Sequence, residues 1–201
     1  MMSGGVVTGI RRAYGDPRGA MARRMAEGLS EPLAMRDLFL ACGLGFVASV
    51  PTAVRAARTL GIEDSLAGTI SAHLFGYLFV APLLAYGLAA VLHLAARAFG
   101  GRGGFLGARS ALFRAALLGA PIAILVALAG VATEIVAAAG VLPLIPYLSY
   151  AGFAFWLWLL AAGLAEAEGL GATLRVAAVL ALVFLGVALG LRAATASLTI
   201  G

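Results

Sequence analysis

The side chains that could do chemistry in this chain are few and widely spaced. Two histidines (His73 and His93), one cysteine (Cys42) and the acids Glu134, Glu166 and Glu168 are of types suited to proton transfer, metal ligation or nucleophilic attack. His73 and His93 stand twenty positions apart in one apolar stretch, which separates them by about 30 Å on a helix. They cannot share a metal, and each reads as an interfacial or hydrogen-bonded helix residue. Glu166 and Glu168 are two apart, so a helix points them to different faces and they cannot act as an acid–base couple. A single cysteine excludes an internal disulfide and a cysteine-pair metal site. Phe39-Leu40-Ala41-Cys42 has the flavour of a lipoprotein cleavage box. Only four apolar residues separate Cys42 from Asp37, however, and a signal-peptide core needs about 7–15. Cys42 is therefore expected to pack inside a helix, and no cleavable signal peptide is expected.

Glu134 is the one acid placed where it could be intramembrane. A carboxylate at the centre of a bilayer costs about 2.5–3.5 kcal/mol on insertion scales, which marks such residues as functional. Counted along a helix from Arg114, Glu134 falls about 30 Å away, at the far interface. The expectation is a water-facing acid at a helix end, with proton or cation handling as the alternative. The sequence holds no His-Glu-x-x-His, no Glu-x-x-His, no P-loop and no serine–histidine pair that can be placed in a common pocket. The glycines of residues 100–104 (GGRGG) resemble a phosphate cradle in composition alone and are read as a flexible basic turn. The chain is expected not to be an enzyme and to hold no cofactor or metal.

The elements that position these residues follow from composition. Hydrophobic residues make up 63% of the chain and charged residues 11%, against about 25% charged in an ordinary soluble domain. The mean hydropathy is +1.04. A soluble fold of this composition would show water large apolar areas, so lipid is the expected solvent. All fourteen basic residues are arginine, which with the Ala, Gly, Leu and Val content points to a GC-rich bacterial genome. The net charge of +5 does not argue for nucleic acid, because the arginines sit at the edges of apolar runs.

The stretch from Arg97 to Arg114 carries four arginines (Arg97, Arg102, Arg109, Arg114) and no acid between two long apolar runs. It reads as the cytoplasmic turn of a membrane hairpin that sets the orientation of the rest. The expected fold is all-α, a polytopic membrane protein with five transmembrane helices in residues 32–195. The spans are placed at about Met35–Val54, Ser71–Leu94, Ala115–Thr133, Tyr147–Ala165 and Ala172–Ala194. Pro82 should kink the second span and Pro121 falls in the first turns of the third. Residues 134–146, with Gly140, Pro143 and Pro146, read as an apolar outer turn. Phe153, Phe155, Trp156 and Trp158 lie too deep for an interfacial belt and are expected against neighbouring helices or lipid.

Residues 1–31 form a cytoplasmic, arginine-rich segment. Asp16-Pro17 is a helix start. Met21, Met25 and Leu29 then recur at i, i+4 and i+8, the stripe of a short helix lying flat on the inner leaflet. With five spans and the N-terminus inside, inner segments hold eleven arginines and outer segments three (Arg55, Arg58 and Arg192). The N-terminus is therefore expected in the cytoplasm of a cell with an inner membrane, and the C-terminus outside. Gly186-x-x-x-Gly190 and the small face of Ala41 and Gly45 suit close packing of membrane helices, within the chain or between copies.

This order of features resembles the bacterial branch of the Yip family, the Ypt/Rab-interacting membrane proteins. The likeness rests on the acid-proline entry Glu31-Pro32, five spans with short connections, the Gly-Gly-x-Gly-x-Phe turn at Gly100 to Phe105 followed by Arg109 and Arg114, and Pro121. Glu31-Pro32 and Asp37-Leu38-Phe39 echo the Asp-Leu-aromatic-Gly-Pro motif of eukaryotic members in displaced form, and no site residue transfers through it. The resemblance implies a non-enzymatic integral membrane protein, tied in eukaryotes to vesicle traffic. The leading expectation is a scaffold, adaptor or membrane-organising protein that contacts lipid and other membrane proteins or itself. The alternative is a small transporter or channel for an ion or small solute, opened by kinks at Pro51, Pro82 and Pro121 past Glu134.

Overall fold

The computed structural model describes residues 6–60, 65–136 and 145–198, and all of its regular structure is helical. Helix α1 spans Val6–Gly15 and α2 spans Pro17–Ala26. Between them Asp16 accepts the Gly19 N–H at 2.8 Å while Pro17 opens α2, a side-chain cap joined to a residue with no N–H to satisfy. Gly28, at φ 97°, turns the chain into the long helix α3, Glu31–Leu60, which contains Pro51.

The next crossing is one rod in three pieces. Helix α4 (Ser65–Phe75) passes through a π turn at Gly76–Val80 into α5 (Ala81–Ala98). Pro82 cannot donate to the carbonyl four residues back, and the preceding turn widens so that Ala81 N–H donates to Gly76 O. The irregularity expected at Pro82 thus takes the form of a π turn. Helices α6 (Phe105–Val136), α7 (Ile145–Ala167) and α8 (Thr173–Leu198) complete the chain.

Five stretches among the described residues are long and apolar enough to cross a membrane: Glu31–Arg58, Leu66–Ala98, Phe105–Ala132, Tyr147–Ala167 and Thr173–Gly190. Helices α3 and α6 form the central pair, with α4 on α3, α5 and α7 on α6, and α8 on α7. Leu38, Phe113 and Leu160 are the largest apolar side chains fully buried at their junction. Small residues let the backbones approach, as where Gly163 faces Ala111 and Gly119 lies under the Trp156 ring. Phe153, Trp156 and Phe184 pack ring on ring and fasten α8 to α7. Leu83, Leu84 and Leu94 on α5 and Leu182 and Leu189 on α8 are exposed, apolar faces suited to hydrocarbon.

Three expectations change. Helix α6 begins at Phe105, ten residues before the expected span, so Arg109 and Arg114 are helical and Pro121 lies mid-helix. Only Phe99–Gly104 forms the turn, because the Arg109 and Arg114 side chains find acids on α3. Neither does the turn hang free. Arg102 N–H donates to Glu168 O at 2.8 Å, and a Cβ at Gly103 would overlap the Ala167 carbonyl. Finally, α2 rests on α7 and not on its own stripe: Met21 is buried against Ala111 and Ala167, Leu29 packs beside them, and Met25 is exposed. Of the expected outer turn over 134–146, residues 134–136 continue α6 and 145–146 begin α7, and residues 137–144 lie outside the described residues.

The Gly103 contact yields a direct test. Gly103→Ala should lower unfolding stability in detergent by about 1–3 kcal/mol through overpacking, whereas Gly104→Ser, in open space at the start of α6, should be neutral. Equal midpoints for the two variants would show that the turn is not docked on α7.

An ion-paired bundle end and a central cleft

Polar side chains converge where α3 and α6 begin and α5 and α7 end. Asp37, one turn and a half into α3, has no exposed surface. Its Oδ1 accepts from Arg36 Nη2 at 3.1 Å, and its Oδ2 lies 2.8 Å from Arg24 Nη2 of α2 and 3.8 Å from Arg114 Nη1 of α6. The Arg24 contact is short but lacks hydrogen-bond alignment, and Arg24 Nε is buried without a partner. Burial pushes the Arg24 guanidinium below its ordinary value, the Asp37 charge opposes that, and the Arg114 and Arg36 charges add to it. Three cations thus share one carboxylate.

A second node joins α3, α5 and α6. Arg109 holds Glu31 with two hydrogen bonds, 2.8 Å to Oε1 and 2.6 Å to Oε2, the fork geometry that suits a carboxylate. Tyr86 Oη donates to the same Oε1 at 2.8 Å. The guanidinium lies over the rings of Phe105 at 4.7 Å and Tyr86 at 5.3 Å, within cation–π range. At a third node His93 Nδ1 of α5 meets Oε1 of fully buried Glu168 at 2.6 Å, while Glu168 Oε2 is without a hydrogen-bond partner.

The N-terminal helices close over this end. Arg18 reaches past the end of α7, bonding Glu166 Oε2 at 2.7 Å and the Gly171 carbonyl at 2.8 Å. Tyr14 donates to the Leu118 carbonyl at 2.7 Å with its ring edge-on to Phe155, and burial raises its phenol above the ordinary 10.0. Glu166 and Glu168 serve different partners, as their spacing requires.

Beyond the ion pairs the bundle opens. A cleft of about 1140 Å³ extends from Leu38 and Cys42 to Arg55, Gly130 and Ser149. Its lining is mainly small and apolar, with Ser49, Thr52, Arg55, His73, Tyr77, Ser149 and Trp156 as the polar or polar-edged exceptions. Two of these bond their own helix: Ser49 Oγ donates to Phe46 O at 2.8 Å, and His73 Nδ1 lies 2.9 Å from Thr69 O.

The expected site residues therefore divide. Arg109 and Arg114 enter ion pairs, whereas Arg97 and Arg102 have exposed side chains. Glu134 falls within α6, with its side chain outside what is described. Gly186 and Gly190 lie on an exposed face of α8, where an added Cβ meets nothing. Gly45 packs under the Tyr77 ring, and Cys42 is buried. His93 is a hydrogen-bonded helix residue, one of the two forms expected for it, and its partner, Glu168, lies 75 positions away. Sequence reasoning missed Asp37, Glu31 and Arg24 as partners. The available signal was an acid, Asp37, at the threshold of an apolar run. Among the described residues no three His, Cys, Asp or Glu side chains are grouped to hold a metal. No protein-family model, curated protein or solved structure matches the chain.

Asp37→Asn removes the carboxylate and leaves three guanidiniums without a shared counter-charge. It should cost about 3–5 kcal/mol of stability. Arg36→Gln, on a side chain more than half exposed, should cost about 0–1 kcal/mol. Denaturant unfolding in detergent measures both, and similar losses would show that Asp37 is not the organising charge.

Proposed function

We propose that the protein is a multi-pass protein of the cytoplasmic (inner) membrane that admits a small apolar or amphipathic solute to its central cleft, as a small transporter without catalytic chemistry. The cleft carries this reading. Its volume of about 1140 Å³ is slightly above the about 300–1,000 Å³ usual for small-molecule sites, and residues of α3, the α4–α5 rod, α6 and α7 line it. The ion pairs stand at one end, and the π turn before Pro82 interrupts the second long helix that lines the cleft. Pro51 and Pro121 each remove one backbone hydrogen bond from α3 and α6, which stay continuous. Helix irregularities beside a substrate site are a feature of transporter folds. The lining favours an apolar or amphipathic solute over a hydrated ion, because alanine, glycine and aliphatic side chains dominate it, Ser49 and His73 bond backbone carbonyls of their own helices, and Arg55 at one edge donates to Thr52 Oγ1 at 3.2 Å.

Orientation follows from the arginines: the ion-paired end carries most of them, so we place it and the N-terminus in the cytoplasm and the C-terminus outside. For family, we propose the bacterial branch of the Yip family, supported by the five-span order and the Gly100–Phe105 turn. Filling the cleft with Ala123→Phe, in a Trp158→Phe background so that Trp156 is the sole reporter, should leave the chain folded and protect Trp156 from quenching by a brominated alkyl alcohol. Quenching unchanged by Ala123→Phe would remove the solute-handling reading.

A scaffold or adaptor is the second reading, with the bilayer, other membrane proteins or a second copy as partners. It is favoured by α8, whose Gly186 and Gly190 present a small, exposed face of the kind on which membrane helices pair. Gly186→Ile with Gly190→Ile should leave the unfolding midpoint unchanged, since the space is open, yet reduce the crosslinked species recovered from native membranes. An undiminished crosslinking pattern would count against α8 as the docking face.

A further inference from the structure

We infer that Arg36 and Arg114, at the rim of the Asp37 cluster, form a binding site for the phosphate group of an anionic ligand, the membrane source being a phospholipid headgroup. Three guanidiniums from α2, α3 and α6 surround a single carboxylate, at 2.8, 3.1 and 3.8 Å. The cluster therefore carries two positive charges beyond its one acid. Arg24 is the buried member, and its Nε is without a partner. Arg36 and Arg114 keep more than half and a quarter of their side chains exposed, so they are the two that an incoming anion can touch.

Arg114 is also the loosest partner of Asp37, at a distance too long for a hydrogen bond, so donors remain unused. Phosphate oxygens suit such a pair because a guanidinium presents parallel N–H groups to them. Depth selects the source. Arg36 stands two residues before Leu38 and Arg114 immediately before Ala115, each just ahead of the long uncharged section of its helix, and on the membrane reading that position lies near the headgroup phosphates. The lipid source rests on the membrane reading proposed above, whereas the anion site itself does not.

The test uses the full chain purified in a neutral detergent. Thermal unfolding is followed with added phosphatidylglycerol, phosphatidylcholine or inorganic phosphate at constant ionic strength, and native mass spectrometry counts retained lipid. Phosphatidylglycerol should raise the midpoint and stay bound where phosphatidylcholine does not. Arg36→Gln with Arg114→Gln should abolish both effects. Arg97→Gln with Arg102→Gln, which removes two exposed arginines at the same end of the bundle, should leave them intact. A matching rise with inorganic phosphate, lost in the same double variant, would support the phosphate site and assign it to the aqueous side. If the double variant unfolds, Arg36→Lys keeps the charge without the fork and should weaken phosphatidylglycerol retention. Equal responses to the two lipids with none to phosphate would overturn the inference. So would equal loss from both double variants, because surface charge alone would then explain the binding.

Discussion

A carboxylate with no exposed surface, Asp37, is the constraint around which one end of this bundle is built. Burying a charge is tolerable only when partners compensate it, and here they come from three directions: Arg36 beside it on α3, Arg24 on α2 and Arg114 on α6. None of these elements satisfies the acid alone. The central α3–α6 pair and the N-terminal helices are thereby coupled, since α2 brings a guanidinium that the bundle end lacks without it. Tyr14 and Arg18 extend the same coupling to α6 and α7. The arginine-rich N-terminus is thus a part of the fold.

The two ends of the bundle differ in how they are held. At the ion-paired end large side chains interlock: Phe113, Leu38 and Leu160 are fully buried beneath the Arg109–Glu31 and His93–Glu168 pairs. Toward the other end α3 and α6 present alanine and glycine, and the space between helices widens into the cleft. Small residues can bring helices together or leave room between them, depending on what the opposite helix offers. Gly45 and Gly119 receive the Tyr77 and Trp156 rings, and the neighbouring alanines face open space. Rigidity at one end and room at the other is the asymmetry on which the solute-handling proposal depends.

Much of this architecture could be read from residue order. Apolar runs of spanning length gave five helices long and apolar enough to cross a membrane, Asp16-Pro17 gave the start of α2, and Pro82 gave the irregular turn. The pairings could not be read, for a physical reason. Helical periodicity says which face of a helix a residue occupies, but not which helix that face meets. Glu31 and Arg109 are 78 positions apart, His93 and Glu168 75, and Arg18 and Glu166 148. The same limit misplaced the methionine stripe. Met21 finds Ala111 and Ala167 where lipid was expected, because an apolar stripe is equally suited to either.

The helical start of α6 changes how the central arginines bear on orientation. Arg109 is held by Glu31 in two hydrogen bonds, so its charge is largely spent within the protein, while Arg114 lies 3.8 Å from Asp37 with a quarter of its side chain exposed, and Arg97 and Arg102 are exposed. Discounting paired charges does not reverse the asymmetry. The inner-assigned segments hold eleven arginines against six acids (Asp16, Glu27, Glu31, Asp37, Glu166, Glu168), an excess of five. The outer-assigned segments hold three arginines against three acids (Glu63, Asp64, Glu134), which cancel. Orientation follows basic residues near span ends more than net charge, and here both measures select the same end. The acids that fix the fold lie at that end too. On the proposed orientation, the charges that orient the chain and those that lock its helices are therefore drawn from one pool: Arg24 and Arg109 are committed to Asp37 and Glu31, whereas Arg36 and Arg114 keep part of their side chains exposed.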